Sequence, residues 1–266
     1  MAVINPITSM KGAYDISGYN VVVTGGNRGI GFGISTAFAQ SGANVAILCR
    51  DVSKGAEAAA KLKEYGGDHH CFACDVSKLE DVRKAAKSVF DVFGKVNVLV
   101  NNSGVAPVAR MLEDKDLEKW HQTIDTNLHG PANTIHSFVP SMIKNGGGSV
   151  ISISSVGGQS VSAGLKHFKP GYHAAKAGLD ILTRYLCIEL GGSGMRFNVI
   201  APGLTHSDLD KDLPPGIYDF VDNALPSRRF GEPIEIGAYC VYLASPAAAN
   251  INGTICVLDG GKLCTG

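Results

Sequence analysis

Seven short apolar runs recur along the chain with amphipathic stretches between them, and this alternation restricts the fold more than any other feature. "NVVVTG" (20–25), "NVAILC" (44–49), "HHCFACDV" (69–76), "VNVLVNNSG" (96–104), "GSVISISS" (148–155), "MRFNVIAPG" (195–203) and "GTICVLDGG" (253–261) are rich in β-branched residues and bounded by polar residues or glycine. Strands written as near-continuous Val, Ile and Leu are buried on both faces, which requires a parallel sheet between two layers of helices. The intervening stretches supply those helices: "IGFGISTAFAQSG" ending at Gly42, 53–65 opened by Ser53 as N-cap, 78–93, 116–144 with an interruption near Gly130-Pro131, 171–190 and 233–244. The expected architecture is α/β, a doubly wound seven-stranded parallel sheet in a single domain over 1–266. The least regular stretch is 204–230, with Pro214, Pro215, Gly216 and Pro226; a long irregular segment in a compact domain suits a loop that covers substrate.

Apolar residues make up 45% of the chain and charged residues 18%, enough for a large core. Net charge is zero with a pI near 7.1, so neither nucleic acid nor an anionic membrane is expected as the main partner. The N-terminus lacks a basic stretch followed by an apolar run, and no window is long and apolar enough to span a bilayer, so a cytoplasmic protein is expected. The cysteine count is odd, seven in scattered positions, which suits reduced thiols better than a disulfide framework. Cys71 and Cys74 follow His69 and His70, but a second ligand pair for zinc is missing, and residues three apart on a strand face opposite ways. No metal is expected.

"VTGGNRGIG" stands where the first strand turns into the first helix. Gly25, Gly29 and Gly31 let backbone approach a pyrophosphate closely, and the new helix points N–H groups at it; Asn27, Arg28 and Ile30 belong to the same loop. No Gly-Lys-Ser/Thr follows, which excludes a Walker-type loop. Cys49 ends the second strand where a carboxylate would hold an adenosine ribose 2′-hydroxyl, and Arg50 follows. A guanidinium suits a 2′-phosphate, and Arg28 approaches the same position, so NADP(H) is favoured. NAD(H) stays open through the alternative in which Arg50 is solvated and Asp51 turns in.

Further along come Asp75-Val76, Asn101-Asn102-Ser103-Gly104, Asn127, Ser154-Ser155, Tyr172-x3-Lys176 and Asn198-x3-Pro202-Gly203. In this order, with the glycine loop, they resemble the short-chain dehydrogenase/reductase family in its shorter, single-domain, Rossmann-like form, over nearly the whole chain. The resemblance implies Tyr172 as general acid in carbonyl reduction and base in alcohol oxidation. It implies Lys176 as the charge favouring the phenolate and as holder of the nicotinamide ribose, Ser155 as the polariser of the carbonyl, and Asn127 as support for a water relay. Asp75 and Val76 would border the adenine, and Asn102, with Ser103 and Gly104, the adenine-side ribose. Backbone after Pro202-Gly203, around Thr205 and Ser207, would meet the carboxamide. A small-molecule ketone or secondary alcohol would be the substrate, and the family habit is a homo-oligomer, tetramer or dimer.

Ser103 replaces the family's usual alanine. Ser155 and Tyr172 are 17 positions apart, a few more than usual, and the extra residues fall in the 157–170 loop with His167, Phe168 and Lys169. His173, beside Tyr172, has no role legible in the sequence. Enoyl reductases of the family space Tyr and Lys more widely, so the x3 spacing counts against carbon–carbon double-bond reduction. The alternatives are an NAD-dependent alcohol, polyol or hydroxysteroid dehydrogenase, or a non-catalytic nucleotide sensor, since fold alone does not dictate function.

Overall fold

A computed structural model describes residue 4, residues 6–161, 168–207, 213 and 216–265. The chain runs β1 (Asn20–Thr24), α1 (Gly29–Gln40), β2 (Asn44–Cys49), α2 (Val52–Leu62), β3 (His69–Ala73), α3 (Leu79–Phe93), β4 (Val98–Asn101), α4 (Glu118–Ile124), α5 (Gly130–Lys144), β5 (Gly148–Ile153), α6 (Pro170–Glu189), β6 (Met195–Pro202), α7 (Ile217–Asn223), α8 (Pro233–Ala244) and β7 (Ile255–Leu258). All seven strands are parallel in the order β3-β2-β1-β4-β5-β6-β7. The chain builds outward from β1 through β2 to β3, then returns to pair β4 on the other side of β1. That reversal opens a crevice at the C-terminal ends of β1 and β4, where doubly wound sheets hold their ligands.

Side chains alternate across the sheet, and each face has its own core. Val21, Val23, Val45, Ile47, Val98 and Val100 pack with Ile34 and Phe38 of α1, Leu62 of α2 and Leu243 of α8. Val22, Leu48, Leu99, Val150 and Phe197 pack with Val82 and Val89 of α3 and Phe138 and Met142 of α5. Helices α1 and α8 approach at their glycines: a Cβ on Gly237 would stand 2.7 Å from Gly33 O. Cys71 belongs to the first core and Cys74 to the second, on opposite faces as strand geometry requires.

Two local expectations change, and the interruption expected near Gly130-Pro131 is present. Helix α2 opens at Val52 rather than Ser53, because the Asp51 side chain accepts the Lys54 N–H at 3.1 Å and caps it two residues before Ser53; the helix ends at Leu62 and a 3-10 turn covers 63–65. The 116–144 helix is broken by a π-helical turn over Asp125–His129, immediately before Gly130-Pro131. The irregular 204–230 stretch contains α7 and a small apolar cluster of Ile217, Val221, Leu225 and Phe230. Residues 208–212, 214 and 215 lie outside the described residues.

Candidate active site

Thr24, the last residue of β1, organises the crevice. Its Oγ1 accepts the backbone N–H groups of Asn102 and Ser103 at 2.9 and 3.0 Å, and its carbonyl accepts Asn102 Nδ2 at 2.9 Å. The end of β4 is thereby clasped to the glycine loop. Gly25 and Gly29 hold φ of +64° and +50°, which favours glycine at both. A Cβ on Gly31 would overlap Gly25 O and stand 2.5 Å from Asn102 Nδ2. Helix α1 begins at Gly29, its N-cap Arg28 makes no side-chain capping bond, and its first turn carries no acidic residue. Its first N–H groups are therefore offered to an anion, and this close-packed, donor-rich cradle fits a pyrophosphate.

At the other end of the same crevice, Ser155 follows β5 in extended backbone and its Oγ accepts the Gly157 N–H at 3.0 Å. Pro170, in the first turn of α6, starts the helix that carries Tyr172 and Lys176 on one face. Burial raises the Tyr172 pKa, with the neighbouring Ser155 hydroxyl pulling the other way. Lys176 is 4% exposed, donates to Ile153 O at 2.6 Å and lies 5.7 Å from the centre of the Tyr172 ring. Burial lowers its pKa to about 8, against an opposing pull from Asp180. Asp180 is also buried, and burial holds its carboxyl above the usual range.

A cavity of about 420 Å³ joins the two ends. Its lining brings together Gly25, Asn27, Arg28, Gly29, Ile30, Gly31, Arg50, Asp75, Val76, Asn102, Ser103, Gly104, Ser155, Tyr172, Lys176, Pro202, Gly203 and Ser207. Two sequence-predicted residues lie off this lining. Asn127 is fully buried in the π turn, where its Oδ1 accepts the Val105 N–H at 2.9 Å and its Nδ2 donates to Val105 O at 2.8 Å. Thr205 instead bridges to Gly231. Asp51 lines the cavity but its Oδ1 is engaged by α2. Asp75 Oδ1 accepts the Ser77 N–H and hydroxyl at 3.1 and 2.7 Å.

The sequence did not assign Val105, Ala106 or Thr126 to the cavity wall. Val105 and Ala106 directly follow the Asn-Asn-Ser-Gly motif, which is the signal that could have found them. Of the 157–170 loop, residues 162–167, including His167, lie outside the described residues. Phe168 carries the Arg110 guanidinium 4.6 Å from its ring centre, and its carbonyl accepts the Ala109 N–H at 2.9 Å. No group of three or more His, Cys, Asp or Glu side chains among the described residues gathers to hold a metal, and no described helix is long and apolar enough to cross a membrane.

A doubly wound parallel sheet with a glycine cradle at its switch point and a Ser, Tyr and Lys group beside it defines a nucleotide-dependent oxidoreductase. The chain belongs to the short-chain dehydrogenase/reductase family. A family model described as enoyl-(acyl carrier protein) reductase matches residues 25–262. D-threitol dehydrogenase of Mycolicibacterium smegmatis is 37% identical, covering 93% of this chain and 94% of the relative. A 3-oxoacyl-[acyl-carrier-protein] reductase of Chlamydia muridarum is 36% identical over 90% of this chain and 95% of its own. L-sorbose reductase from Gluconobacter frateurii, solved with NADPH and L-sorbose, superposes with a TM-score of 0.86 at 31% identity, covering 94% of this chain and 98% of that one.

Proposed function

We propose that this oxidoreductase is an NADP(H)-dependent carbonyl reductase that interconverts a small ketone and its secondary alcohol. One observation carries the reading: Ser155, Tyr172 and Lys176 line the same cavity as the glycine cradle and the two arginines, Arg28 and Arg50. When bound, the nicotinamide supplies or accepts the hydride. The chain supplies position and the proton.

Tyr172 donates its hydroxyl proton to the carbonyl oxygen. Its raised pKa keeps the phenol protonated at neutral pH, which suits the reductive direction. Ser155 lines the cavity with Tyr172 and so sits where the same carbonyl oxygen would be polarised. Lys176, still largely charged at neutral pH with a pKa of about 8, is the fixed positive charge that eases loss of that proton. Both side-chain ends of Asn127 are spent on Val105, so a water relay behind Lys176 would use the backbone of the π turn.

Cofactor choice rests on the Cys49-Arg50-Asp51 corner. Asp51 is committed to capping α2, which leaves the adjacent ribose position to the guanidinium of Arg50. The x3 spacing of Tyr172 and Lys176, together with relatives named for carbonyl and alcohol substrates, supports reaction at carbon–oxygen rather than carbon–carbon bonds. An NAD-dependent polyol dehydrogenase is the second reading, favoured by the similarity to D-threitol dehydrogenase. A homo-oligomer is supported by Ile181, Tyr185 and Ile188, 62%, 63% and 81% exposed at helical spacing along α6. A cytoplasmic location and a covering role for 204–230 complete the reading.

The test is turnover of a ketone and polyol panel with NADPH and with NADH, repeated for Tyr172→Phe. Loss of about 100-fold or more in kcat with cofactor binding retained is expected. Turnover untouched by the substitution overturns the assignment, and a faster NADH reaction overturns the cofactor.

A further inference from the structure

Cys49 and Cys71 lie outside the proposed proton chemistry, yet they form a closely built pair. Cys49 ends β2; Cys71 stands on β3, where the register pairs Ile47 with Cys71 and Cys49 with Ala73. The two cysteines are therefore diagonal neighbours on one face of the sheet. Their sulfur atoms are 3.5 Å apart. Helix α2 passes directly over them at Gly55, where a Cβ would overlap Cys71 Sγ and stand 2.6 Å from Cys49 Sγ. Cys49 is buried and its thiol donates to the Asp51 carbonyl at 3.1 Å. Cys71 is half-buried, on the strand at the edge of the sheet.

We propose that Cys49 and Cys71 are an oxidisable dithiol that hydrogen peroxide closes to a disulfide, loosening the adenosine end of the cofactor cavity. The geometry distinguishes them from Cys74, which points into the other core, and from Cys240, which is fully buried. Cys71 is the less buried of the two sulfurs, so it is the one that peroxide reaches first. Its thiolate attacks one peroxide oxygen and the O–O bond breaks. Sulfur keeps a hydroxyl as sulfenic acid, and the other oxygen leaves as water with the proton that Cys71 released. The Cys49 sulfur then attacks the Cys71 sulfur. The S–O bond breaks and hydroxide departs as a second water with the Cys49 proton. Two thiols are oxidised and one peroxide is reduced to two waters.

Closure brings the sulfurs from 3.5 Å to about 2.05 Å, a movement that an edge strand, paired on one side alone, is best placed to absorb. It also removes the S–H that holds the Asp51 carbonyl. Asp51 and Arg50 both line the cavity, so the loss of that tie displaces the corner that would meet the adenosine ribose. The cross-link is independent of the proposed reaction; its effect on cofactor rests on that reading of the cavity.

The experiment treats the full reduced chain with graded hydrogen peroxide, alkylates the remaining thiols and maps the peptides by mass. The expected product is a Cys49–Cys71 cross-link, two hydrogens lighter and reversed by dithiothreitol. In parallel, NADPH binding to the oxidised protein is expected to weaken about fivefold, the equivalent of one lost hydrogen bond. Cys71→Ser should bind NADPH like the reduced parent and resist the peroxide effect. Sulfinic acid at Cys71 with no link to Cys49 overturns the dithiol. A cross-link with unchanged NADPH affinity overturns the coupling. A reduced parent that binds neither NADPH nor NADH instead refutes the cofactor reading and leaves the cross-link to be judged by mass.

Discussion

Nδ1 of His173 lies 2.6 Å from the carbonyl oxygen of Gly157. A carbonyl only accepts, so this ring nitrogen carries the proton. Gly157 in turn gives its N–H to Ser155 Oγ, and Ser155 lines the same cavity as the Tyr172 phenol. His173 thus props the turn that aims Ser155. Its ring also meets Tyr172 edge-on, with centres 6.0 Å apart.

His173→Ala should therefore lower kcat by roughly tenfold to a hundredfold while leaving cofactor affinity in place, because the misplacement is of the serine and not of the cradle. His173→Asn, which keeps an N–H donor near the Nδ1 position, should restore most of the rate. Steady-state kinetics with separate cofactor binding checks both. Equal loss in the two variants would argue for ring packing alone.

Arg50 tests cofactor choice. Arg50→Ala should raise the KM for NADPH about tenfold or more, as expected for a lost charge-assisted pair, with little change for NADH. Parallel kinetics with the two cofactors decides it, since equal weakening would place Arg50 elsewhere than at the 2′-phosphate.

Gly31→Ala tests the cradle. The added methyl overlaps Gly25 O, which is backbone and cannot turn aside. Dinucleotide affinity should fall at least tenfold, measurable by fluorescence titration. The fold should persist by circular dichroism, since a displaced glycine loop is a local adjustment.

Lys176 links stability to pH. Its folded pKa of about 8 lies below the ordinary 10.5, so the unfolded chain binds the extra proton between those values. Stability attributable to the buried amine is full above 10.5 and lost as pH falls through 8. Relative to Lys176→Met, the parent without cofactor should gain on the order of 3 kcal/mol between pH 7.5 and 10.5. Urea unfolding of both proteins across that range would show a flat difference if the amine were solvated.

Much of this molecule is legible in short windows. Periods of two and 3.6 residues, glycine at the β1–α1 turn and Tyr-x3-Lys on one helical face are properties of neighbouring residues, and β2 and α8 run as their apolar patterns predict. Sequence and structure part where two local signals compete. Asp51 and Ser53 are both good caps, and the choice followed from where β2 ends rather than from residue type.

What the sequence alone determined is therefore the class: a buried parallel sheet, a dinucleotide cradle and a phenol beside an amine. What only the tertiary structure decided is which distant residues meet. Strand order opened the crevice between β1 and β4, and folding set Asn127 against Val105, His173 against Gly157 and Cys49 against Cys71. These pairs are 16 to 22 positions apart. Local backbone preference carries no record of such partners; they are chosen when helices dock on the sheet and each buried polar group must find a hydrogen bond.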